Sequence, residues 1–283
     1  MTDRLTFYFY SSPYGIDWSS PFRLMTSTLL NRISWVPKPK HPIGHVNIEL
    51  TSGSMNPRRR FLTGMVAVDS SQQRVELLKN QIGLGVLFYS APGRLETPEE
   101  IEAQFEPRYR QGSISTLTLS VHPSVRERLE QYQREYGERR GYHQYGLPNR
   151  PLYLEGSGCS AFAASFLQVA GLDFPEFERN WTRLIRVPSD LIGDAATGKK
   201  VSLGRLFRER PARWAEASEP NREVFFWDPD LMHRWLVQTY KGLQSGRPLF
   251  IDRPYRLARR GRALELEIDL SHIEAPSKPI WPA

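Results

Sequence analysis

The chain has 283 residues; 40% are apolar and 24% charged, and 38 Lys and Arg against 31 Asp and Glu leave a net charge of +7. That composition excludes wholesale disorder, and the length suits one large domain or two small ones. The lone cysteine, Cys159, excludes an internal disulfide and any metal site built on two or more thiolates.

Leu5 to Tyr10 reads as a strand and Ser19 to Asn31 as a short helix, followed by a Pro- and Lys-bearing loop. Gly44 to Leu50 alternates: Val46, Ile48 and Leu50 share one side, and His45, Asn47 and Glu49 the other. A turn-rich segment, Thr51 to Arg60, leads into Phe61 to Val68 and predicts a hairpin with a long tip. Gly83 to Tyr89 is a further strand candidate. Thr97-Pro98-Glu99-Glu100 predicts a helix start, with Thr97 as cap, Pro98 in the first turn and Glu100 closing a capping box. Ser115 to Val121 is predicted as a strand. Val125, Leu129, Tyr132 and Tyr136 then form an apolar stripe on a charged helix ending near Gly137 or Gly141. A helix follows Cys159, another opens at Asp228-Pro229, and Ala263 to Leu270 alternates as a late strand.

Strands and helices mix without a regular βαβα rhythm, which predicts an α+β fold with a mostly antiparallel sheet. The expected organisation is a single domain spanning 1–283, with a weak boundary near 190–200, where Gly, Asp and Lys gather. No stretch reaches the ~20 apolar residues of a membrane helix. Met1 to Phe9 lacks a basic segment followed by an apolar run and a small-residue cleavage site. The expectation is a chain that is cytoplasmic as synthesised, and exported only by a route that needs no classical signal peptide.

The segment with the most chemistry runs from Tyr145-Gly146 through Gly156-Ser157-Gly158-Cys159-Ser160 to Ala170-Gly171-Leu172-Asp173-Phe174-Pro175. Two glycines permit a sharp turn just before Cys159, and an apolar helix begins there. A sulfur at a helix N-terminus gains from the helix dipole and free N–H groups, which stabilise a thiolate and can serve an oxyanion. Against this stands the ordinary fate of an unpaired cysteine, a small buried hydrophobe.

Taken together, these residues resemble the nucleophile helix of NlpC/P60 papain-like cysteine hydrolases. Gly158 departs from the resemblance, standing where that family usually has Asp. Those enzymes place their histidine after the cysteine, in a strand reading roughly His-Val-Gly-Ile. Here Gly44-His45-Val46-Asn47-Ile48 precedes it, with Asn47 where Gly is usual. The reversed order is similar to the circularly permuted branch of the superfamily, the YiiX/YaeF-like and lecithin:retinol acyltransferase-like proteins. The resemblance covers two patches, Gly44–Leu50 and Tyr145–Pro175. It implies a papain-like fold with the nucleophile helix packed on the sheet, Cys159 as nucleophile, His45 as base and Tyr145 shaping the cysteine pocket.

A third polar group should orient the imidazole. The strand after the histidine offers Thr63, and Glu49 and Asn47 share the face of His45; none stands out. The resemblance implies amide cleavage through an acyl-enzyme thioester, with a peptide or peptidoglycan fragment as substrate. Acyl-lipid hydrolysis or transfer is the alternative within the same fold, and a non-catalytic binding protein that keeps the fold is the alternative outside it. No cofactor and no metal is implied. His41 and His45 are four apart, but Pro42 and the strand pattern deny them a shared helical face. Gly83-Leu84-Gly85 fails as a nucleotide loop because Phe88 stands at the third glycine position. Arg58 to Arg60 reads as a solvated hairpin tip. Arg253 to Arg262 is basic but lies in no recognisable nucleic-acid module, which sets nucleic acid aside as a partner.

Overall fold

The computed structural model describes residues 2–33, 41, 43–53, 60–69, 75–77, 79–208 and 213–282. In chain order the elements are β1 (Asp3–Tyr10), α1 (Pro21–Ile33), β2 (His45–Thr51), β3 (Arg60–Ala67), β4 (Ser90–Leu95), α2 (Pro98–Gln111), β5 (Ile114–Val121), α3 (Pro123–Glu138), β6 (Gln144–Gly146), α4 (Cys159–Ala170), α5 (Pro175–Trp181), β7 (Thr182–Pro188), α6 (Leu203–Arg208), β8 (Asn221–Trp227), α7 (Pro229–Gln244), β9 (Tyr255–Arg260) and β10 (Ala263–Leu270). An eight-stranded sheet runs β6-β4-β3-β2-β1-β5-β10-β9, and β7 and β8 form a separate pair. Only β5–β10 is parallel among these pairings; the fold is α+β with a mostly antiparallel sheet.

Period-2 alternation gives the central strands two faces, and both are covered. Leu5, Phe7 and Phe9 of β1 join Val46, Ile48 and Leu50 of β2 in the main core. Phe162 and Phe166 of α4, Tyr132 and Tyr136 of α3, and Trp235 and Leu236 of α7 close over them. On the other face Tyr8, Tyr10 and Ile114 pack with Ile101 and Tyr109 of α2. The His45 side of β2 is therefore not half solvated, as its alternation predicts, but buried along His45 to Leu50. Helix starts follow local chemistry. Thr97 and Glu100 form the capping box of α2, and Asp228 accepts from the N–H groups of Asp230 and Leu231 at the start of α7.

Gly83 to Tyr89 is not a strand. Leu84–Phe88 forms a 3₁₀ helix, because Gly83 sits at φ +53 and Gly85 lies so close to the Gly193 carbonyl that any Cβ would collide with it. The hairpin tip around Arg58 and Arg59 lies outside the described residues. The 190–200 stretch carries a bridge from Ile192 to Gly83, Val201 just after it bridges Ile82, and the chain beyond supplies α7 and β10 to the main core. No helix among the described residues is long and apolar enough to cross a membrane.

Candidate active site

Cys159 reaches its place through the glycines before it. Gly156 adopts φ +95, and a Cβ there would lie 2.2 Å from the Gln144 carbonyl oxygen. The next residue, Ser157, donates its N–H to that same oxygen at 2.9 Å, which ties the turn to β6. Gly158 is the extended N-cap, and Phe162 N–H bonds its carbonyl. From Cys159 the chain turns helical, and Gly171 in the left-handed region ends α4. The cysteine stays 6% exposed at the first turn of a helix buried along most of its length.

His45 opens β2. The β2–β3 ladder begins at Asn47–Gly64, while β3 goes on to pair with β4 from Met65–Leu95. His45 and Val46 therefore extend past the ladder, and the sulfur takes the free side of the strand. The Val46 N–H and the His45 side chain are among the neighbours that act on its charge there. This gap explains how a thiol on the helix side of the sheet meets an imidazole whose strand position faces the other way.

The second imidazole nitrogen is also engaged. His45 Nε2 donates to Glu96 Oε2 at 2.6 Å, leaving Nδ1 for the sulfur, and Asn47 Nδ2 donates to the same carboxylate oxygen at 2.8 Å. Glu96 follows β4 directly. Its N–H bonds the Gly64 carbonyl at 2.8 Å, and its own carbonyl accepts from Thr63 Oγ1 at 3.2 Å. Gly64 leaves the space for this cluster, since a Cβ on it would sit 2.1 Å from Asn47 Nδ2 and 2.9 Å from Glu96 Oε2.

Burial alone would depress the imidazole and raise the thiol. The Cys159 and Glu96 charges overcome burial at His45 and lift it to about 9. At Cys159, burial is outweighed by the His45 charge and by hydrogen bonds from His45, Tyr145 and the Val46 amide, so the thiol titrates below its ordinary value. Burial pushes the Glu96 carboxyl up, but the His45 charge and its hydrogen bond hold it well below the usual carboxylate range. The pair is thereby biased toward thiolate and imidazolium, with a buried carboxylate behind the imidazole. The two groups titrate as a unit rather than singly.

Of the sequence candidates, Cys159, His45 and Tyr145 come together. Tyr145 lies beside the Cys159 side chain and main-chain N–H and acts on both. That N–H, expected to serve an oxyanion directly, has the phenol beside it in the resting site. Replacing Tyr145 with Phe removes both contacts and should raise the pH at which the thiol becomes reactive while leaving the fold intact, as an alkylation profile beside a thermal melt would show.

Glu49 and Thr63 do not orient the imidazole. Glu49 lies four residues along the same face, about 13 Å away at strand rise, where it bonds the Tyr8 hydroxyl and Arg60. Thr63 pairs with Ile48 and so faces away from His45, anchoring the Glu96 main chain instead. The orienting acid is Glu96, which sequence reasoning missed. Pro92 and Gly93 disguise β4 as a loop, and the visible signal, the Thr97 capping box, points forward into the helix.

The sequence reading sets the pair His41 and His45 aside, yet the structure brings the two rings together. The His41 ring stacks on His45 with centroids 3.7 Å apart and planes 5° from parallel, and its Nε2 lies 3.4 Å from Glu96 Oε1 without a hydrogen bond. Burial and the neighbouring His45 charge hold it at about 3, so it stays neutral. Donor atoms of His41, His45 and Glu96 all lie within 4.8 Å of one another, and these are the residues that could hold a metal ion. Parallel rings aim their lone pairs side by side, so a tetrahedral ion would need the two imidazoles to splay. As they stand, they suit proton holding. Comparison of the chain with protein-family models, curated proteins and solved structures finds no match.

Proposed function

We propose that the chain is a thiol hydrolase of papain-like type, a circularly permuted relative of the NlpC/P60 enzymes, that cleaves an amide bond through an acyl-enzyme thioester. One observation carries this reading. The His45 imidazole is held between the Cys159 sulfur and the buried Glu96 carboxylate. The reversed order of histidine strand and cysteine helix, and the burial of that helix against β2, support the permuted version.

In this mechanism the Cys159 thiolate attacks the acyl carbon. The oxyanion takes up the Cys159 N–H and the Tyr145 hydroxyl, which already face the sulfur. His45 gives its proton to the departing amine as the C–N bond breaks, leaving a thioester and a neutral imidazole. Water then attacks the thioester, and His45 accepts one of its protons. The acyl–sulfur bond breaks, the acid leaves, and the thiolate–imidazolium pair is restored. Glu96 keeps the imidazole oriented and its charge compensated throughout.

The rate of Cys159 alkylation by iodoacetamide against pH tests the pair. In the native chain the acid limb should lie below the ordinary thiol value, with a second change near pH 9, where the imidazolium loses its proton. His45→Ala removes the cation, so the limb should move up and alkylation at pH 7 should slow about tenfold, the effect of a one-unit rise in thiol pKa. A thiol that is inert in both, or identical profiles, would sink the reading. Substrate class is tested separately. New amino groups released from isolated peptidoglycan, and lost with Cys159→Ala, would place the substrate among wall peptides. Fatty acid released from phospholipid vesicles instead would turn the same chemistry to acyl lipids.

A further inference from the structure

Arg108 lies in the last turn of α2, only 7% exposed, in a position the hydrolytic scheme does not use. Its guanidinium lies over the Tyr10 ring, 4.3 Å from the centroid. Tyr10 is fully buried, and its ring stands 5.8 Å from the His45 ring and 6.2 Å from that of His41. One aromatic ring therefore separates this cation from the catalytic imidazole.

Among the described residues, no carboxylate forms an ion pair with Arg108 and no acceptor takes a hydrogen bond from its five N–H groups. The Tyr10 hydroxyl is likewise buried without a hydrogen-bond partner. Buried charges are nearly always paired, because desolvating one costs several kcal/mol. Glu96 is the nearest acid to act on Arg108, and its carboxylate is already committed to His45 and Asn47. Burial accordingly outweighs the nearby negative groups and lowers the guanidinium pKa.

We propose that Arg108 and the Tyr10 hydroxyl form an oxyanion-binding subsite, which takes a carboxylate or phosphate group of the molecule acted on at Cys159. The guanidinium offers donors only, so a ligand bound to it must bring acceptors. The guanidinium fork accepts two oxygens of one planar or tetrahedral anion at once, and the phenol supplies a further donor. As a statement about substrate, this rests on the thiol-hydrolase reading; as a statement about binding, it stands alone.

The test uses the full chain carrying Cys159→Ser, which cannot form a thioester, so binding is read without turnover. Calorimetric titration with N-acetylglycine, N-acetylglycinamide and glycerol 3-phosphate separates the sources. Carboxylate recognition gives binding of N-acetylglycine and at least tenfold weaker binding of the amide; phosphate recognition gives preference for glycerol 3-phosphate. In either case Arg108→Gln should weaken the preferred anion at least tenfold, Arg108→Lys less, and Tyr10→Phe severalfold while keeping the ring. Thermal melts identify a variant that fails to fold, and Tyr10→Phe and Arg108→Lys then carry the test. Failure of both anions to bind, equal affinity for N-acetylglycine and its amide without phosphate binding, or affinities unmoved by these substitutions would overturn the proposal. The hydrolase reading fails on a different result, an inert Cys159 thiol.

Discussion

Glu96→Gln should lower the rate of activated-ester hydrolysis about 100- to 1,000-fold at pH 7, within the range for disabling a general base or its orienting partner. The amide keeps the shape of the carboxylate but loses its charge. With that charge gone, burial is opposed at His45 only by the thiolate, and the imidazole pKa falls from about 9. The sign matters. A raised imidazole pKa keeps the cation present at neutral pH and lost only as pH passes about 9. Lowering it removes the cation at neutral pH, and the buried thiol then reverts to its protonated form. Alkylation of Glu96→Gln should therefore show an acid limb moved toward higher pH, together with the loss of hydrolysis. If the rate and the limb both stay at native values, Glu96 does not orient this site.

The second large effect is structural in origin. Gly64→Ala puts a methyl group 2.1 Å from Asn47 Nδ2 and 2.9 Å from Glu96 Oε2, where neither buried side chain can move freely. Overpacking of this kind costs roughly 1–3 kcal/mol, which in a chain of this size lowers Tm by roughly 2–5 °C. The displaced carboxylate should also lose its hold on His45, so thiol activation and stability fall together. Gly137→Ala makes a control of the opposite kind, since a Cβ there meets nothing within 4 Å. A Gly64→Ala protein that melts and reacts like the native chain would show that the cluster is looser than its contacts imply.

Much of this was legible in the sequence where one local rule acts alone. The alternation of β2, the capping box at Thr97, the Asp228 cap and the glycines flanking α4 all read correctly, because each depends on a few neighbouring residues. The pairing of Cys159 with His45 was legible only through the resemblance, since nothing local joins residues so far apart. What stayed hidden depends on tertiary placement. Ser90–Leu95 contains Pro92 and Gly93, which weaken any strand pattern; its pairing with β3 and β6 makes it a strand. Glu96 owes its role to that pairing. Helix α2 packs on the sheet face that carries Tyr8, Tyr10 and Leu62, and no periodicity in β2 announces that cover. Alternation also suggested Glu49 as the partner, but it could not report that four residues along a strand is too far.

The parallel contact of β10 with β5 bears on how the chain comes to be folded. Leu264 lies opposite Ser115, about 150 residues away in sequence, and Leu266, Ile268 and Leu270 complete the core that α4 and α7 share. Until residues 263–270 arrive, β5 presents an open edge, the kind of edge that recruits other chains. The β9–β10 hairpin can form locally and early, but docking it against β5 must wait on a long loop closure. During synthesis the histidine strand and the cysteine helix both emerge well before that closure. The nascent protein therefore passes through a period in which the Cys159 thiol has been made but the sheet beneath it is unfinished.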